Sequence, residues 1–183
     1  MAFNISDMRS QLTGGGARPT LFEVQITNPI NGVADFKVPF MVKASSLPAS
    51  TIGAVEVPYF GRKIKIAGDR TFEDWEVTVL NDEDFAVRNA MEQWMNAMNS
   101  HVGNVRDTAR LAPESYKTQA QIRQFSKVGG DPIREYTFNG LFPTNISAIT
   151  TDWDTQSTIE EFTVTFGYDW WEVSGGTTGI STT

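Results

Sequence analysis

Cysteine is absent from the 183 residues. That excludes a disulfide framework, thiol chemistry and cysteine-rich metal sites, and it is compatible with a reducing compartment. Histidine occurs once, at His101, so no histidine cluster exists to bind a metal or relay protons. Long apolar runs are missing too: no segment approaches the roughly 18 consecutive apolar residues of a membrane-spanning helix. The amino-terminal stretch MAFNISDMRSQLTGGG has no basic region followed by an apolar run, so no signal peptide is expected. Positive charge is in short supply, with 15 Lys and Arg against 22 Asp and Glu, a formal net charge of −7. Tight binding of nucleic acid depends on neutralising phosphates with a basic surface, and this composition argues against it.

Familiar catalytic and ligand motifs are also lacking. Gly14-Gly15-Gly16 does not follow a strand and lacks the Gly-Lys-Ser/Thr ending of a phosphate loop; it reads as a hinge. Asp152 and Asp154 begin like a calcium loop but lack the downstream ligands, which leaves a surface turn. Glu160 and Glu161 are neighbours on a strand, point to opposite faces, and cannot act as a paired acid and base. No serine lies in a G-x-S-x-G elbow. The one local basic cluster, Arg62-Lys63-x-Lys65, carries less charge and fewer interleaved aromatics than a nucleic-acid groove needs. It fits better as a set of exposed hairpin residues facing acidic patches on a partner.

What the sequence does have is period-two alternation. Phe22, Val24 and Ile26 alternate with polar residues. So do Phe36, Val38, Phe40 and Val42, where Pro39 indicates an edge or a bulge. Val55, Val57 and Tyr59, then Ile64 and Ile66 around Gly61, read as a long hairpin spanning Gly53 to Gly68. Trp75, Val77 and Val79 form another strand. Further strands are expected near 120–127, 134–141 and 143–149, and IEEFTVTFGYDWWEV at 159–173 is expected as the last. In that stretch Phe162, Val164, Phe166, Tyr168 and Trp170 share one face. The period changes once: Val87, Met91, Trp94, Met95 and Met98 follow helical spacing. This predicts a helix from about Glu83 to Asn99, N-capped by Asn81 or Asp82, with the methionines packed in the core. A shorter helix is expected within Asn4–Leu12. The fold class is therefore mainly β: two packed antiparallel sheets, as a sandwich or partly open barrel, with one flanking helix. Residues 1–19 form an arm, 20–173 the domain and 174–183 a flexible tail.

GGARPTLFEVQI (14–26), ASSLPASTIGAVEVPYFGRKIKIAGDRTFEDWEVTV (44–79) and FTVTFGYDWWEV (162–173) resemble the tail-tube proteins of contractile-tailed bacteriophages, almost along the whole chain. The resemblance implies hexameric rings stacked into a hollow tube inside a contractile sheath, a tube that conducts viral DNA and shares its fold with type VI secretion tubes. It implies no enzymatic activity and no cofactor. The implied partners are further copies of the chain, the sheath protein, the baseplate hub or tube initiator and the tail terminator. The tape-measure protein and transiting DNA would occupy the lumen without tight binding. The implied location is the virion, after assembly in the host bacterial cytoplasm. A baseplate-proximal initiator, or the tube of a phage-derived injection system, is the alternative role. A carbohydrate-binding sandwich stacking sugars on Trp170 and Trp171 is the alternative class. Expected inter-subunit contacts are Arg18, Pro19, Leu47, Pro48, Pro58, Tyr59, Phe60, Gly61, Arg62 and Lys63, with Tyr59, Phe60 and Arg62 between rings. Either Glu161, Thr163 and Thr165 or Asp74, Glu76 and Thr78 are expected to face the lumen.

Overall fold

A computed structural model describes residues 4–176. The arm begins with α1 (Ile5–Gln11), where the Asn4 side chain accepts a hydrogen bond from the Ser6 amide and so caps the first turn. All strand pairs are antiparallel. One sheet comprises β1 (Phe22–Ile26), β6 (Thr118–Gln124), β7 (Arg134–Ile146) and β9 (Trp170–Gly175). The other comprises β2 (Val42–Ser45), β5 (Trp75–Leu80), β8 (Glu161–Gly167) and the far half of β7. The thirteen-residue β7 thus belongs to both sheets. The predicted strands 134–141 and 143–149 are this one continuous element. Apart from these sheets, β3 (Ser50–Tyr59) and β4 (Arg62–Phe72) pair only with each other among the described residues.

The inward faces of the strands supply the core. Val24, Ile122, Phe138, Val77, Val164, Phe162 and Phe166 are all buried. Trp75 stacks on Phe138 with ring centroids 4.2 Å apart and leans against Phe166 at 5.7 Å. α3 (Ala86–Met98) closes the open side by burying Val87, Ala90, Met91 and Trp94. These are the residues its 3.6-residue period brings to one face. The Trp94 indole donates to the Tyr116 carbonyl at 2.8 Å, which satisfies its one polar atom inside the core.

Three expectations are corrected. Residues 36–42 do not form a strand. A 3-10 turn at Gly32–Ala34 leads into the one-turn helix α2 (Val38–Met41), and only Val42 begins β2. Pro39 sits in the first turn of α2, where its missing N–H costs nothing, and Phe36 and Phe40 project outward. Secondly, α3 starts at Ala86 and is not capped by Asn81 or Asp82. Phe85 takes a left-handed conformation (φ 51°) before it, and the Asp84 carboxylate accepts from the Ala86 amide at 3.0 Å. Lys37 binds both Asp82 and Asp84, so these acids belong to a turn outside the helix. Thirdly, the stretch 159–173 is two strands. It turns a corner at Tyr168 and Asp169, passes from one sheet to the other, and reverses parity: Trp171 and Val173 point inward while Trp170 is half exposed.

The corner is built with β7. Gly140 has φ +70°, and a Cβ there would overlap the Asp169 carboxylate, which Lys117 holds at 2.7 Å. The Asp169 amide donates to the Asn139 carbonyl at 3.0 Å. β9 ends at Gly175, and residues 177–183 of the expected tail lie outside the described residues.

Candidate functional site

The β3–β4 hairpin stands free of the domain. Every residue of β3 is exposed, and in β4 only Gly68 and Phe72 are partly covered. Its register pairs Val55 with Ile66, Val57 with Ile64 and Tyr59 with Arg62. Alternation places Val55, Val57, Tyr59, Ile64 and Ile66 on one face, each 41–64% exposed. The opposite face pairs Glu56 with Lys65 and Pro58 with Lys63, and Lys63 forms an ion pair with Glu56 at 2.6 Å. The hairpin is therefore amphipathic, with no partner for its apolar face among the described residues, a state soluble monomers rarely sustain. At the tip Phe60 and Gly61 both have positive φ, 43° and 79°. That fits a tight two-residue turn, but the first position normally favours Asn, Asp or Gly. Phe60 is 91% exposed, with Tyr59 edge-on to it.

The root is rigid. The Trp75 indole donates to the Ser46 carbonyl at 2.9 Å and the Trp171 indole to the Ala49 carbonyl at 3.1 Å. Leu47 and Pro48 lie between these two anchors. Phe72, the last residue of β4, packs against Tyr168 and Trp171. Burial raises the pKa of the Tyr168 hydroxyl, and the nearby Asp74 and Glu73 carboxylates push it the same way. Trp171 is thus committed to the hairpin root. Sequence reasoning passed over this role for Trp75 and Trp171, although an indole N–H packed against the protein usually finds an acceptor.

The other residues expected at contacts divide by place. Pro58, Tyr59, Phe60, Gly61, Arg62 and Lys63 are at the tip, about 30 Å of strand away from Leu47 and Pro48. Arg18 and Pro19 lie elsewhere, before β1; the Gln124 side chain donates to the Arg18 carbonyl at 3.4 Å.

The two sets expected to face the lumen come together. Glu76 is opposite Thr165, Thr78 opposite Thr163 and Leu80 opposite Glu161, so the alternatives are one surface: the outer face of β5 and β8. The hydroxyls of Thr78 and Thr163 are 3.4 Å apart. Thr144 on β7 donates to the Thr165 carbonyl at 3.1 Å, and Lys43 of the β2 edge binds Glu161. Asp74 is the exception: it precedes β5, in the link from the hairpin. The rest of the face is hydroxylated and acidic, with Thr78, Thr163 and Thr165 beside Glu76 and Glu161. His101 serves only locally, its ring nitrogen 2.8 Å from the Asn96 side chain. Among the described residues no group of His, Cys, Asp or Glu is arranged to hold a metal ion.

A β-sandwich with a clamped, exposed amphipathic hairpin and a polar sheet face points to the class of proteins that work by association. Comparison with known proteins makes the class specific. A family model described as phage tail tube protein matches residues 17–174. The tail tube protein gp19 of Enterobacteria phage T4 is 36% identical over 160 residues, covering 87% of this chain and 93% of that protein. The tail tube protein of Serratia phage KSP90 is 22% identical over 169 residues, 90% of this chain and 93% of that one. Among solved structures, the anti-feeding prophage tube-terminating cap superposes with a TM-score of 0.64 at 15% identity, over 87% of this chain and 91% of that chain. The sheath–tube complex of an extracellular contractile injection system (PVC) gives 0.59 at 13% identity, over 94% and 99%. The chain belongs to the phage tail tube protein family. It is a structural component of the virion, not an enzyme.

Proposed function

We propose that six copies of this chain close into a ring, that rings stack into the inner tube of a contractile phage tail, and that the outer face of β5 and β8 lines the bore. The observation that carries this reading is the free hairpin. Its apolar face and tip are built to be covered, and each large apolar side chain buried there contributes roughly 1.5–3 kcal/mol before ordering costs. Ring closure also removes exposed sheet edges, which are otherwise templates for uncontrolled pairing. The face of Thr78, Thr163, Thr165 and Glu76 suits a conduit, because it offers DNA no array of cations to neutralise phosphates. The tape-measure protein and then DNA occupy this bore without tight binding. The sheath protein surrounds the tube, and the baseplate hub or initiator and the terminator cap its two ends. Residues 1–19 act as an arm on the domain of residues 20–173.

The absence of native cysteine makes the test clean. Thr163→Cys is labelled with a thiol reagent too large to enter the bore, before and after assembly of purified protein into tubes seen by electron microscopy. Labelling of the free subunit and protection in the tube are expected. Equal labelling in both states removes this face from the bore. Copies per particle separate the main tube from an initiator: hundreds indicate the former, six the latter.

A further inference from the structure

We propose that the hairpin tip of one subunit docks on the opposite pole of a second copy of this chain in the adjacent ring, in an acidic recess floored by Phe85 and Ile159. The proposal rests on the tube reading and supplies what that reading lacks, the receptor for the hairpin. The geometry comes from β5. The hairpin joins the domain just before Trp75, at the first residue of β5; the recess lies just beyond Leu80, at its last. Six residues of strand separate the two by about 20 Å. One sheet therefore presents the projecting element at one end and the recess at the other, as a head-to-tail contact requires; such a contact repeats without closing and builds a filament.

The chemistry of the two poles matches. Beyond β5 the chain turns through Asp82, Glu83 and Asp84, and the β7–β8 loop brings Glu160 to the same end, with the Asn81 amide donating to the Glu160 carbonyl at 2.8 Å. The nearby cations are already engaged. Lys37 holds Asp82 and Asp84, Lys43 holds Glu161 and Arg88 holds Glu92. Glu83 and Glu160, which line the recess, have no cationic partner among the described residues. Phe85 and Ile159 share the recess and remain 41% and 67% exposed. The tip presents the complement: Phe60, flanked by Arg62, Lys63 and Lys65, of which Arg62 and Lys65 have no ion-pair partner among the described residues. Both surfaces also hold a phenylalanine in the left-handed region, Phe60 at φ 43° and Phe85 at φ 51°. Such a conformation is strained for a bulky residue, and it fixes where each ring points.

The test is a charge exchange. Chain T carries Arg62→Glu and Lys65→Glu at the tip; chain R carries Glu83→Lys and Glu160→Lys at the recess; chain TR carries all four. All four positions are exposed, and circular dichroism and a thermal melt confirm that each variant folds. Tube length and yield are measured by sedimentation and electron microscopy beside the unaltered chain. T and R should each lower tube yield at least about tenfold while leaving single rings, and TR should restore it to within a few-fold. As a second readout, Arg62→Cys with Thr158→Cys in the cysteine-free chain should give an oxidation-dependent ladder of multimers only in assembled tubes. If R assembles as the unaltered chain does, or TR does no better than T and R, the recess is not the receptor, although the tube reading stands. If the unaltered chain forms no ring or tube under seeded conditions, both readings fall.

Discussion

Gly140 shows how much of the fold depends on one missing side chain. Its φ of +70° is open to glycine at no steric cost, and its flank is filled by the Asp169 carboxylate that Lys117 clamps. Gly140→Ala imposes both backbone strain and a collision at the corner where the chain changes sheets. It should cost about 1–3 kcal/mol, read as a drop of several degrees in melting temperature. Asp35 offers a residue-scale test in pH. Burial is the larger influence and raises its pKa above 3.8, against the hydrogen bond from the Asn28 amide, which lowers it. A folded pKa above the unfolded value means that the native state holds the proton more tightly. The resulting stabilisation is complete below pH 3.8 and is lost as pH rises through the folded value. Asp35→Asn keeps an acceptor for Asn28 and removes the titration. Urea midpoints should therefore show the variant gaining on the parent as pH climbs from 3.5 to 7; a constant difference would show that Asp35 does not carry this term. Neither residue was legible beforehand. A lone glycine in a strand pattern and an aspartate in a loop carry no sign of the tertiary neighbours that give them meaning.

Among the elements, the strands that face the core on one side were the readable ones. β1, β5 and β8 alternate because half of each is wet, and α3 announced itself by its change of period. Alternation failed where it had a different cause. Phe36 and Phe40 lie on a short helical turn and face outward, and only Val38 is buried, so the four-residue pattern was not a strand face. In the stretch 159–173 the pattern ran through a corner at which parity reverses, which no periodicity can register. Of the two groups of expected bore residues, all but Asp74 lie on alternating strands, and only cross-strand register shows that they are neighbours. The hairpin, by contrast, was visible at once and proved longer than expected at both ends, Ser50 to Phe72 against Gly53 to Gly68. Its behaviour as an element depends on the indole anchors at its root. Trp171→Phe keeps the ring packing against Phe72 and Tyr136 and deletes the hydrogen bond to Ala49. A loss of about 1 kcal/mol is expected. The sharper sign should be faster amide hydrogen exchange across 46–72 with little change elsewhere; uniform acceleration would mean that the anchor serves the whole fold.

At the scale of the whole molecule, the outcomes concern association. Phe60 places 91% of its surface in solvent at the tip, so Phe60→Asp removes nothing from the subunit's core. Its melting temperature should match the parent within about a degree, while tube yield falls by an order of magnitude or more. A variant that assembles normally would take the tip out of the contact. One further consequence follows from the long strand β7. Most two-sheet proteins hold their layers together by side chains alone, and such layers can slide past each other when pulled. Here a single backbone of thirteen residues, some 43 Å, is woven through both layers. A shearing load on one layer passes into the other along covalent bonds, so the layers cannot part without pulling a strand out of its ladders. Under such a load the subunit behaves as a rivet rather than a laminate.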